Sequence, residues 1–160
     1  MRRARGCRVN TDGRCVALVL LLIAAAASAV AQEDDAVLLA VLHQVAEEMV
    51  EKDGVACLSI DPGGAPQSIG GDLLESFADL PFVRRGAECE ERENGAVELA
   101  TDRPAVLITA GPIEWVEDEE AWVTVRYFRT AVLSAERLYR AVREETGWVC
   151  LGQIVRMAPA

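Results

Sequence analysis

The chain has 160 residues, of which 26 are Asp or Glu and 16 are Lys or Arg, giving a formal net charge of −10 at pH 7. An acidic excess of that size repels nucleic acid and anionic lipid, so both are disfavoured as partners. It favours cationic groups or divalent ions, or simply keeps the protein soluble.

The first fourteen residues carry Arg2, Arg3, Arg5, Arg8 and Arg14 against the single acid Asp12. An unbroken apolar run follows, Val16 to Ala31, and closes with two small-x-small sites, Ala27-Ser28-Ala29 and Ala29-Val30-Ala31. Gln32-Glu33-Asp34-Asp35 then turns polar. This layout predicts a cleavable signal peptide over residues 1–31. An uncleaved anchor is the alternative, although the run is shorter than the ~20 residues a membrane-crossing helix needs. Either way the leading arginines direct the rest of the chain outward, to the periplasm or the extracellular space. Cleavage removes five arginines and one aspartate, which leaves 11 basic and 25 acidic residues in a single domain over 32–160. Fifteen of the sixteen basic residues are Arg and one is Lys52, which points to a high-GC bacterial source.

Residues 34–52 read as the long helix. Leu38, Val41, Leu42, Val45 and Met49 recur at helical spacing as one apolar stripe, and Gly54 stops it. Val55 to Ile60 reads as a short strand ended by Asp61-Pro62-Gly63-Gly64. Asp72-x-x-Glu75 resembles a capping box on a short helix bearing Leu73, Leu74 and Phe77, halted by Pro81. Phe82 to Cys89 is expected to be extended, and Asn94-Gly95 marks a tight turn after the charge run Glu88 to Glu93.

The last third reads as antiparallel strands. Ala105 to Glu117 is extended, with an expected break at Gly111-Pro112. Trp122 to Arg129 sets Val123, Val125 and Tyr127 on one face. Trp148 to Met157 alternates in the same way. Leu133 to Glu145 suits either a helix or a strand; its short links to two strands favour a strand. Turns fit at Glu117–Glu120 and Glu144–Gly147.

Cys7 and Cys15 leave with the leader. Of Cys57, Cys89 and Cys150, the expected bridge is Cys57–Cys89, joining an apolar strand to a charged segment, with three unpaired thiols as the alternative. Cys150 reads as a buried small apolar residue.

These elements imply an α+β fold: one long N-terminal helix packed on a curved antiparallel sheet with a C-terminal β-meander. The closing pattern Tyr139-x-Ala141-x-Arg143 with Gly147-Trp148-Val149 resembles small exported bacterial proteins of the nuclear-transport-factor-like or cystatin-like α+β cone. The pattern Val55-x-Cys57, Glu88-Cys89 and Gly111-x-Ile113-x-Trp115 is similar to a group of uncharacterised secreted proteins with that layout. The resemblance implies a cone-shaped sheet. That fold hosts enzymes, binding modules and scaffolds alike, so it transfers no active-site residue.

No pattern assigns a catalytic residue, a metal ligand set or a cofactor. His43 and Glu47 form an i,i+4 pair, two ligands where a metal site needs more. The acid clusters Glu88, Glu90, Glu91, Glu93 and Glu117, Asp118, Glu119, Glu120 lack calcium-loop spacing. Gly70-Gly71 precedes a helix without the Lys-Ser/Thr of a phosphate loop. Trp115, Trp122 and Trp148, with Tyr127, are candidates to line a ligand cavity or to be core. The favoured function is a non-enzymatic exported domain that binds a small apolar ligand or a protein partner on a concave sheet face. A carboxylate-dependent hydrolase or isomerase is one alternative and a structural envelope component another.

Overall fold

The computed structural model describes residues 32–51 and 53–154. The predicted leader, residues 1–31, lies outside them, as do Lys52 and the segment 155–160 into which the last strand was expected to run. The chain divides into two compact units, Met1–Glu33 and Asp34–Ala160, and the architecture below is that of the second. Of the first, only Gln32 and Glu33 are described, as the opening residues of a helix. Among the described residues, no helix is long and apolar enough to cross a membrane.

That helix, α1, spans 32–49. The predicted stripe is its inner face: Leu38, Val41, Leu42 and Val45 are buried, and Met49 packs at the margin of the core. Val37 and Ala46 widen the stripe to two residues per turn, as a helix lying flat on a sheet requires.

Beneath α1 lies a seven-stranded sheet in the order β2-β1-β6-β7-β8-β9, with β3 also beside β1. These strands are β1 (Val55–Ile60), β2 (Gln67–Ser68), β3 (Val83–Arg85), β6 (Ala105–Glu117), β7 (Glu120–Thr130), β8 (Leu133–Glu144) and β9 (Gly147–Ile154). A short helix α2 (Gly71–Glu75) precedes β3, and a two-stranded hairpin β4 (Cys89–Arg92) and β5 (Gly95–Glu98) precedes β6. The fold is α+β, and the sheet is mostly antiparallel. β1 departs from the all-antiparallel expectation, running parallel to both β3 and β6. The long connection from β1 to β6 carries the chain back to its starting end, as a parallel pair needs.

Three local expectations resolve in the sheet. The segment 133–145, ambiguous by periodicity, forms β8 over Leu133–Glu144, paired on both sides and burying Tyr139 and Ala141. Two-residue links to β7 and β9 leave a helix nowhere to pack. The expected break at Gly111-Pro112 is a register shift between Ala110 and Ile113, and the strand continues. Pro112 has no N–H for the ladder, so the chain bulges there. The expected extension of Phe82 to Cys89 is interrupted by a 3-10 turn, Gly86–Glu88. A side chain at Gly86 would meet the Leu58 carbonyl at 3.1 Å, so only glycine lets the turn close on β1.

The main core joins α1 to one sheet face. A second, smaller cluster on the other face holds Val55, Cys57, Cys89, Ala96 and Ala105, with Leu107 and Phe128 beside them. Here Cys57 and Cys89 form the predicted disulfide, with Cα atoms 6.2 Å apart, and it staples the β4–β5 hairpin to β1. Glu98 of β5 is buried and tightens the same junction. Arg84 Nε–H donates to its Oε1 at 2.7 Å, Arg103 Nε–H to its Oε2 at 3.0 Å, and the Thr101 hydroxyl also to Oε2. These donors, Arg103 foremost, hold the Glu98 carboxyl at about 2 against the opposing pull of burial. Cys150 is a free thiol, half-buried rather than enclosed, and desolvation pushes it up.

Candidate functional site

β6 outruns β1. The last β1 residue, Ile60, pairs with Ala110, whereas β6 continues past the bulge to Glu117 along β7. The overhang leaves a ledge that the first turns of α1 cross, and a groove of about 350 Å³ opens between them. Leu38, Ile60, Pro62, Pro112 and Ile113 give it apolar walls, Trp115 an aromatic one, and Asp34 and Asp61 its charges. The size falls within the range of small-molecule sites.

Trp115 is the unusual element. It is 42% exposed, yet two contacts orient it. Its indole Nε1–H donates to Asp34 Oδ1 at 3.2 Å, and its ring meets Trp148 edge-to-face with centroids 5.4 Å apart. Trp148 belongs to β9, three strands away, and strands spaced about 4.8 Å would hold the two backbones roughly 14 Å apart in a flat sheet. The row of paired residues that runs from Trp115 to Cys150, two residues from Trp148 on β9, accounts for the contact. Trp115 pairs with Ala121, Ala121 with Ala141, and Ala141 with Cys150. Both alanines are fully buried, and their small side chains let the indoles close over the central strands.

Asp61 shapes the far wall. Its Oδ1 accepts the N–H groups of Gly63 (3.0 Å) and Gly64 (2.8 Å), fixing the turn that ends β1, while Oδ2 accepts from Arg126 Nη2–H at 2.5 Å. The backbone donors, then Arg126, hold this carboxyl below its usual range. Asp61 and Glu98 are the buried carboxylates among the described residues, and both are shifted down. A general acid needs the opposite shift.

The four aromatic candidates separate. Trp115 and Trp148 come together; Trp122 and Tyr127 do not join them. Trp122 alternates to the opposite face of β7 from buried Ala121 and Val123, and its Nε1–H donates to Glu120 Oε1 at 2.7 Å. Tyr127 lies further along β7, with the Arg137 guanidinium 5.1 Å above its ring. Asp34 and Asp61 were legible only as helix-start and strand-end signals. The Asp-Pro-Gly-Gly spacing that lets Asp61 cap its own turn was the one clue to that residue's role.

His43 stands between Glu47 at 3.5 Å and Asp79 at 2.8 Å, stacked on Phe77. Glu51, two residues past the end of α1, turns instead to Arg129 at 2.5 Å. No group of three or more His, Cys, Asp or Glu converges as a metal site among the described residues. Two larger hollows exist, one of about 570 Å³ near Glu47, Glu51 and Asp53 and one of about 680 Å³ near Glu119, Glu144 and Glu145. Charged side chains dominate the second, whereas the first mixes Glu47, Glu51, Asp53 and Arg103 with Val50, Pro81 and a half-buried Phe82. The chain matches no protein-family model, no curated protein and no solved structure.

Proposed function

We propose that the protein is an exported, non-enzymatic binding domain that holds a small, largely apolar ligand in the groove beside Trp115. The basic-apolar-small leader supports export, and the disulfide fits an oxidising compartment. The carrying observation is an aromatic side chain that is 42% exposed and yet oriented by Asp34 and Trp148. A large side chain held in place loses little freedom when a ligand stacks on it, so its exposed area converts efficiently into affinity. The site lies at the end of the sheet rather than on its face, because α1 covers one face with core side chains.

The test uses 1-naphthalenemethanol, a neutral bicyclic probe, titrated against the protein from an exporting bacterial host while indole fluorescence is followed. The expected result is saturable quenching that Trp115→Ala weakens at least tenfold without lowering the melting temperature by more than a few degrees. Absence of quenching, or equal probe affinity in the variant, overturns the reading.

A further inference from the structure

Resting on that reading, we infer that the groove selects an organic cation: an amine or guanidinium carried on an apolar body, with its positive nitrogen between Asp34 and the face of Trp115. The residues that line the groove include two carboxylates and no Arg, Lys or His. Ionised carboxylates only accept hydrogen bonds, so a ligand reaching them must bring the donors. Asp61 already accepts three donors, from Gly63, Gly64 and Arg126, and Asp34 accepts one, which makes Asp34 the groove's more available anion. Asp34 Oδ1 accepts one indole N–H, and a carboxylate has about four acceptor sites, so capacity remains for a ligand.

The same hydrogen bond acts on the ring. A donor N–H held by an anion pushes electron density back into its π system, and a denser face attracts a cation more strongly. The positive end of α1 opposes this, at about half an elementary charge. Asp34 and Asp35, both in the first turn of α1, outweigh it. The acidic excess of the whole chain adds a long-range attraction of the same sign. A free amine and a Lys or Arg side chain offered by another protein share this chemistry.

Three probes with one ring system separate charge from shape: 1-naphthylmethylamine, 1-naphthalenemethanol and 1-naphthoate, titrated against the full chain in the form an exporting host accumulates. The amine is expected to bind at least tenfold tighter than the alcohol, and the naphthoate not measurably. Added salt should narrow the gap. Asp34→Asn, whose amide oxygen can still accept the Trp115 N–H, should bring the amine-to-alcohol affinity ratio from at least tenfold down to about one. Asp35→Asn, which removes the same charge outside the groove lining, should keep most of the preference. Equal binding of amine and alcohol to the unaltered protein overturns the cation preference and leaves the groove reading standing; failure of all three probes removes both. Competition by a Lys-containing tetrapeptide would assign the cation to a protein side chain, and competition by free aromatic amines alone would assign it to a small molecule.

Discussion

Ala121 and Ala141 pair directly across β7 and β8, both with no exposed surface, in the row that separates Trp115 from the strand bearing Trp148. The tryptophan contact, and the wall it supports, depend on two methyl groups being no larger. Ala121→Leu should therefore destabilise by about 1–3 kcal/mol through overpacking. It should also separate the indoles, seen as a loss of near-ultraviolet circular dichroism, and weaken naphthyl binding. Unchanged near-ultraviolet bands in a folded variant would mean that the alanines do not set the pair.

Glu98 is the buried anion of the β5 junction. Its carboxyl is held at about 2 in the folded chain, against an ordinary 4.5. A group lowered on folding contributes stability that is complete above its unfolded value and is lost as pH falls from about 4.5 toward 2. Glu98→Gln should cost about 1–3 kcal/mol at neutral pH, kept moderate because Arg84 and Arg103 are partly hydrated and can recover water. Urea titrations at pH 7 and pH 3 should show the two proteins converging in acid. A gap that is constant with pH would deny Glu98 this role.

The Cys57–Cys89 bridge closes a sequence separation of 32 residues. Loop-closure entropy puts its contribution at about 3–4 kcal/mol. The double variant Cys57→Ser, Cys89→Ser and the reduced wild-type protein should lose similar stability by chemical denaturation. Cys150→Ser should change it by less than about 1 kcal/mol, since that thiol is only half-buried and unbridged.

Gly95 opens β5 at φ 133°, and a side chain there would come within 2.5 Å of the Arg129 carbonyl oxygen. Backbone strain and collision act together, so Gly95→Ala should cost at least about 2 kcal/mol. Hydrogen exchange should rise first in the β4–β5 hairpin, which has to lift from β7. A melting temperature equal to that of the wild type would show that the hairpin can shift freely.

The α1 stripe, the strands β6, β7 and β9 and their turns were legible because each is written in neighbouring residues, whereas β8 was favoured as a strand only through its short links. Leu38, Val41, Leu42 and Val45 share a face whatever they pack against, and Val123 and Val125 alternate inward on the same principle. The Cys57–Cys89 bridge was the favoured pairing with three unpaired thiols left open, and the approach of β4 to β1 decided it. The site was half legible: Trp115 and Trp148 were nominated for their chemistry, but so were Trp122 and Tyr127, and composition does not sort them.

By itself, then, the sequence determined the long helix, β1 and most of the C-terminal strands with their buried faces, since helix and strand periodicity act over a few residues. Tertiary structure alone decided that β1 lies parallel to β6, that Asp34 reaches Trp115 across 81 positions, and that Arg126 closes on Asp61 across 65. Such pairings follow from where a long connection returns the chain and how far one strand outruns another. Residues that meet by that route leave no periodic trace along the chain.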